Sequence, residues 1–225
     1  MKIQIQCIDG GNMLFQPVPA CELNNFFYPV ESCPACGDSK REVISILGGE
    51  QTDAGLSLLV CKECGHVHYN KLPNDEWHDN FYKANWDKNR RSNSKVEVSP
   101  FPGSFWSHFF ALNIPRDAKI LDFGCGFGKR MLELKELGYS NVWGVELGEH
   151  RAKVAQRYFS DRVVLGSDKE AIELAKSEKF DLIYSTHVLE HIPDPVPTLI
   201  RLKEALKPCG LNLVVVPNAF HESPV

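Results

Sequence analysis

From residue 118 onward, short apolar runs alternate with helix-like stretches, and that alternation restricts the fold more than any other feature. The apolar runs lie near 118–123, 142–147, 162–166, 180–186 and 211–217. Residues with helical spacing fill 127–138, 149–160, 168–178 and 196–207 between them. Strand and helix repeated in this way pack as a parallel sheet with helices on both faces, so an α/β, doubly wound fold is expected. Right-handed crossovers then place a ligand crevice at the C-terminal ends of the strands.

The first run ends in Ile120-Leu-Asp-Phe-Gly-Cys-Gly-Phe-Gly128, with glycine at 124, 126 and 128. Glycines there let the backbone turn sharply and approach a ligand closely; the plain alternative is a tight strand-to-helix turn. A dinucleotide fingerprint has Gly-x-Gly-x-x-Gly, but Lys129 stands where its third glycine would fall. Asp122, two residues before the first glycine, would also repel a pyrophosphate at the helix N-terminus. A cofactor that carries a cationic group and no phosphate fits better. Glu146 follows 24 positions after Asp122, at the end of the second run. A carboxylate there can accept both hydroxyl protons of a ribose, or it can be a strand-end acid facing water.

The order Asp122-x-Gly124-x-Gly126-x-Gly128 resembles the first motif of class I S-adenosylmethionine-dependent methyltransferases. Phe180-Asp-Leu-Ile-Tyr-Ser-Thr-His-Val-Leu-Glu-His-Ile-Pro-Asp194 and Lys207-Pro-Cys-Gly210 are similar to the fourth-strand region and following turn of small-molecule members. Cys209 replaces a glycine of that turn, and only local packing is expected to change. The resemblance implies a Rossmann-like sheet of strand order 3-2-1-4-5, and S-adenosylmethionine as cofactor. It implies that Asp122 holds the methionine amino group, that Gly124, Cys125, Gly126 and Gly128 line the cofactor, and that Glu146 and Leu147 meet the ribose side. Asp168, or alternatively Ser167, meets the adenine. Ser167-Asp-Lys-Glu170 also fits a capping box, which is a purely structural role. A reversed hairpin of sixth and seventh strands is missing after Leu211–Pro217, so truncation, cover by the N-terminal strands, or a partner chain or homo-oligomer on the fifth-strand edge is expected.

Methyl transfer by alignment alone does not always require a strong base; where one is used, His187, just past the fourth run, is the first choice, with His191 and Glu190 behind it. His187 is also counted among the cofactor-lining residues. His187-Val-Leu-Glu-His191 matches the H-x-x-E-H metalloprotease signature as well. That signature needs a long helix and a further ligand, whereas Pro193 and Pro195 follow at once.

Cys33-Pro-Ala-Cys36-Gly and Cys61-Lys-Glu-Cys64-Gly, with 24 residues between the pairs, read as two knuckles of a zinc ribbon. Four thiolates leave Zn2+ no open position, so the metal would be structural; a redox pair or disulfides are the alternatives. Cys7, Cys21, Cys125 and Cys209 lack such spacing and read as free thiols, and His66 and His68 as surface residues. Alternation around Asp9-Gly-Gly11 suggests a hairpin before the first knuckle. The expected domains are a zinc-ribbon module at 1–74, an aromatic-rich helical linker or lid at 75–115, and a Rossmann-like cofactor-binding domain at 116–225. The linker aromatics, Trp77 to Phe110, either pack two helices onto the main domain or wall the acceptor cavity. Lys88-Asn-Arg-Arg91 is either a solvated face or a contact for a phosphate-bearing acceptor.

With 43% hydrophobic residues and a net charge of −4, the chain of 225 residues can bury a core and has no global attraction for polyanions. A signal-peptide core and a membrane-spanning run are both lacking, which makes a cytoplasmic location the default expectation. The expected function is methyl transfer to a small-molecule acceptor; sugar or nucleotide-sugar acceptors are suggested by a looser resemblance of the ribbon and linker to methyltransferases of glycan biosynthesis. A non-catalytic zinc-ribbon scaffold is the alternative. The acidic charge and the lack of an Asn/Asp-Pro-Pro-aromatic tetrad argue against a nucleic-acid methyltransferase.

Overall fold

The computed structural model describes residues 27–47, 56–74, 77, 96, 104–192 and 194–217. The hairpin expected around residue 9, the first linker helix and the basic run at 88–91 lie outside these residues. The chain forms two compact units, Met1–Trp86 and Asp87–Val225.

In the first unit, β1 (Phe27–Pro29) pairs antiparallel with β5 (Lys71–Pro73). β2 (Arg41–Leu47), β3 (Leu56–Cys61) and β4 (Val67–Tyr69) form an antiparallel sheet in that order. Asn70 ties the two sheets together: its carbonyl accepts from Val30 N at 2.9 Å, and its side-chain oxygen accepts from Ser57 N at 2.8 Å. Among the described residues, the buried apolar side chains of this unit are Cys33, Leu59 and Cys61. His68 corrects an expectation, because it is buried rather than a surface residue. Its Nδ1 lies 2.8 Å from the Tyr69 carbonyl, and its ring stacks on His66.

In the second unit, a five-stranded parallel sheet runs β8 (Val163–Leu165), β7 (Val142–Glu146), β6 (Ile120–Phe123), β9 (Phe180–Thr186), β10 (Leu206–Val215). In chain order that is 3-2-1-4-5, as expected. Successive strand residues point to opposite faces, and each face has its own core. Ile120, Leu182 and Tyr184 pack with Phe105, Trp106 and Phe109 of α1 (Ser104–Ala111), Met131 and Leu134 of α2 (Lys129–Glu136), and Ala152 and Ala155 of α3 (Glu149–Phe159). Leu121, Phe123 and Ile183 pack on the other side with Ala171 of α4 (Asp168–Leu174) and Leu202 and Ala205 of α5 (Pro195–Ala205). Phe105, Trp106 and Phe109 are therefore core residues of this unit, whereas Phe110 is exposed.

β10 begins at Leu206, earlier than the apolar run suggested, because its ladder is interrupted. Leu206 pairs with Phe180 and Leu211 with Leu182, and the residues between bulge out. Cys209 sits in that bulge at φ 63°, which corrects the expectation of a mere packing change. Glycine adopts this left-handed conformation freely, whereas a side chain there costs about 1–2 kcal/mol. Among the described residues, no helix is long and apolar enough to cross a membrane.

Candidate cofactor site and cysteine cluster

β6 delivers the chain into a loop in which Gly124, Gly126 and Gly128 have φ of 82°, 56° and 79°. The Gly124 and Cys125 N–H groups both donate to the Val145 carbonyl, at 2.8 and 3.1 Å, which binds the loop to β7. A Cβ on Gly124 would lie 2.4 Å from Val188 Cγ2, whereas one on Gly126 would meet nothing within 4 Å. The loop is thus packed at its first glycine and open at its second. Cys125 turns its sulfur over Gly144, and burial pushes its thiol well above the usual range. Gly124→Ala is expected to destabilise the fold by about 1–2 kcal/mol through backbone strain and about 1–3 kcal/mol through displacement of Val188. Urea denaturation measures the sum.

Asp122 shares the Ile120 face of the sheet and is buried, with Oδ1 lacking a hydrogen-bond partner. Burial raises its pKa from 3.8 to about 7; the nearby Tyr184 phenol and the charge of Arg130 oppose that rise, and Glu146 adds to it. The phenol faces this carboxyl without completing a well-formed hydrogen bond.

Glu146 is also buried and does not face water as a plain strand-end acid would. Its Oε2 accepts from Gly126 N at 2.7 Å and its Oε1 from Gly148 N at 2.8 Å, so one carboxylate braces both the glycine loop and the turn after β7. Each oxygen has a second lone pair. Leu147 beside it is exposed.

The structure turns Asp168 toward α5. Its Oδ2 accepts from Arg201 Nε at 2.8 Å and pairs with a second guanidinium nitrogen at 2.7 Å. Burial would raise this carboxyl, but its bonds to Arg201 and Thr198 hold it below the usual range. Ser167 completes the capping box of α4 with Glu170.

A cavity of about 280 Å³ opens at the loop, lined by Asp122, Gly124, Phe127, Arg130, Glu133 and Thr186 among others. Sequence reading missed Arg130, Glu133 and Tyr184. The one available signal was an acid at 133 among the apolar positions of a helix that begins with two cations. Glu133 is 1% exposed and pairs with Arg130 at 2.7 Å.

His187, Glu190 and His191 come together just past β9. His187 has φ 55°, its N–H donates to the Val215 carbonyl at 2.9 Å, and its Nδ1 lies 3.4 Å from Glu190 Oε1. His191 Nε2 lies 3.9 Å from the same oxygen. Leu189–His191 form a single 3-10 turn, and Pro195 opens α5 with Asp194 as its N-cap. The segment is not the long helix that a metalloprotease signature requires.

A family model described as a methyltransferase domain matches residues 104–224. This chain belongs to that family. Among curated relatives, the methyltransferase domain is similar to a ubiquinone biosynthesis O-methyltransferase of Nitrosospira multiformis, 30% identical over 129 residues that cover 56% of this chain and 52% of that protein. The corresponding protein of Roseobacter denitrificans is 34% identical over 100 residues, 42% of this chain and 39% of that one. The chain spans about half the length of the curated relatives it matches. Among solved structures, a SAM-dependent methyltransferase from Thiobacillus denitrificans in complex with S-adenosyl-L-homocysteine aligns at TM-score 0.42 and 20% identity, covering 55% of this chain and 52% of that one.

The cysteine cluster lies before the methyltransferase domain in sequence. Cys33 and Cys64 sulfurs are 3.6 Å apart, as are those of Cys36 and Cys61, and all four lie within 4.8 Å of one another. These separations exceed a disulfide bond of about 2.05 Å. They suit the edges of a tetrahedron with metal–sulfur bonds of about 2.3 Å, which are about 3.8 Å long. Gly37 and Gly65, at φ 78° and 74°, close the knuckles, with their N–H groups donating to the Cys33 and Cys61 carbonyls. The Cys64 backbone N–H brings the Cys61 thiol down to about 7. Cys36, despite a hydrogen bond from the Asp38 backbone, is pushed up to about 12 by the neighbouring thiols. Thiolates this close repel one another, so a cation among them would favour their joint ionisation.

Proposed function

We propose that this chain is a class I S-adenosylmethionine-dependent methyltransferase acting on a hydroxyl of a small-molecule acceptor, with sugars or nucleotide-sugars as the first class to try. The observation that carries the reading is the buried, unpartnered Asp122 oxygen in the cavity at the glycine loop, an acceptor suited to an ammonium group. Family membership supports the reaction class, and the relatives' printed names support oxygen as the nucleophile.

When bound, the cofactor would supply an electrophilic methyl group on a cationic sulfur, for transfer to the acceptor's oxygen with the sulfur keeping the electron pair of the carbon–sulfur bond. Asp122 holds the ammonium. Glu146, already fixed by two backbone N–H groups, accepts the ribose hydroxyls. The loop carrying Ser167 and Asp168 is bonded to the Glu146 carbonyl through Gly166 N–H at 2.9 Å, on the side proposed for the adenine, with Leu147 exposed nearby. His187, paired with Glu190 and backed by His191, takes the acceptor's proton. Holding both reactants in line can lower the barrier by about 7–11 kcal/mol, so rigid positioning by the loop does most of the work. Zn2+ on Cys33, Cys36, Cys61 and Cys64 is proposed as a structural ion. A cytoplasmic location and a partner strand on the β10 edge, where Leu211 and Val214 are exposed, complete the reading.

Incubation with S-adenosylmethionine and candidate acceptors tests the activity. Gain of one methyl by a hydroxyl compound supports it, and failure across sugars, nucleotide-sugars and phenols removes it.

A further inference from the structure

The turn that carries His187 is registered against the glycine loop by one side chain. Val188 packs on Gly124, where a Cβ would lie 2.4 Å from Val188 Cγ2 and 3.3 Å from Cγ1, so the missing side chain leaves a notch that the valine fills. The wall of that notch is fixed, because the Gly124 and Cys125 N–H groups both donate to the Val145 carbonyl. Val188 is half-buried and also packs on the core that Phe123, Ala171 and Leu202 share. His187 precedes it in the chain at φ 55°, a left-handed conformation that a side chain keeps where its surroundings over-determine it. Three restraints act there. The His187 N–H donates to the Val215 carbonyl at 2.9 Å, its Nδ1 faces Glu190, and Val188 sits in the notch. The first two come from the end of β10 and from the turn itself, whereas the third comes from Gly124, which lines the cavity. A ligand that steadies the loop therefore has a packed contact through which to steady the turn.

We infer that Val188 is a positioning residue: through the notch at Gly124 it ties the His187 turn to the glycine loop, so that filling the cavity at the loop stiffens the turn. This rests on the cofactor reading above. It adds a means by which donor binding readies the acceptor side, which that reading alone does not require.

The test is amide hydrogen exchange of the full chain, read residue by residue by NMR with and without saturating S-adenosylhomocysteine. The His187, His191 and Ile192 N–H groups are the reporters, because they donate to the carbonyls of Val215, Val188 and Leu189 at 2.9, 3.0 and 3.2 Å. In the wild-type protein the ligand is expected to slow their exchange about fivefold or more, the usual scale of coupling between sites. Val188→Ala should still bind S-adenosylhomocysteine saturably, within about threefold of wild type, while the slowing of these amides falls below about twofold. Val188→Thr keeps a methyl for the notch and should retain most of the slowing; its loss there would overturn the steric route. Equal slowing in wild type and Val188→Ala overturns the assignment and leaves the cofactor reading standing, since the ligand then reaches the turn by another path. So does exchange that S-adenosylhomocysteine leaves unchanged in a wild-type chain that binds it, whether or not the variants fold. Weakening of binding by Val188→Ala as severe as that by Glu146→Ala overturns it too, because that marks a support of the cavity itself. Absence of binding by the wild-type chain removes the cofactor reading and this inference together.

Discussion

Asp122→Asn is expected to make the ligand-free protein more stable and its cofactor binding weaker. The wild-type carboxyl is buried, and its pKa rises from 3.8 to about 7 on folding. Between those values the folded chain binds a proton that the unfolded chain has lost, so this group's contribution to stability falls as pH rises from about 4 to about 7. Above that range the folded protein carries a buried carboxylate without a full set of partners. An amide of the same shape escapes that penalty, so the variant should gain about 1–3 kcal/mol at pH 8 and less at pH 5. Denaturation midpoints at the two pH values measure this; a variant equally destabilised at both would contradict it. A cationic ligand requires the ionised acid, so wild-type affinity should rise about tenfold from pH 6 to pH 8 and that of the Asn variant should stay flat.

Removal of the zinc proposed for the four cysteines is expected to have the second large effect. The described part of the first unit buries Cys33, Leu59 and Cys61, whereas Tyr28, Val43, Ile44 and Tyr69 are exposed. The apolar core among the described residues of this unit is thin, and a structural zinc would contribute about 10–16 kcal/mol of apparent folding energy. Chelation, or Cys61→Ser with Cys64→Ser, should melt the β2–β4 sheet and leave the cooperative transition of the α/β unit in place. Hydrogen exchange read segment by segment, alongside metal content by native mass spectrometry, checks this. Unchanged protection of β2–β4 in a preparation proven metal-free would remove the zinc assignment.

What could be read from the sequence was local and periodic. Runs such as Ile120–Phe123 and Phe180–Thr186 mark strands whose alternate residues serve two cores, and the cysteine pairs mark their knuckles by spacing alone. What could not be read depends on neighbours far along the chain. Asp168 pairs through Oδ2 with Arg201, 33 residues on, a partner that local spacing could not show. Glu133 stands among the apolar positions of its helix, but its burial beside Arg130 depends on where α1 lies. Tyr184 is one aromatic within an apolar run, and only the β6–β9 pairing of Asp122 with Tyr184 sets it beside that carboxyl. His68 and Cys209 follow the same rule: strand alternation could not say which face was covered, nor that the ladder bulges at the cysteine.

Titration of the intact chain with S-adenosylhomocysteine tests the central claim most directly. The predicted result is saturable one-to-one binding that Glu146→Ala weakens about a hundredfold, since it removes the ribose acceptor together with the brace on Gly126. Absence of binding by a wild-type chain shown to unfold cooperatively, or binding that Glu146→Ala leaves untouched, would contradict the account.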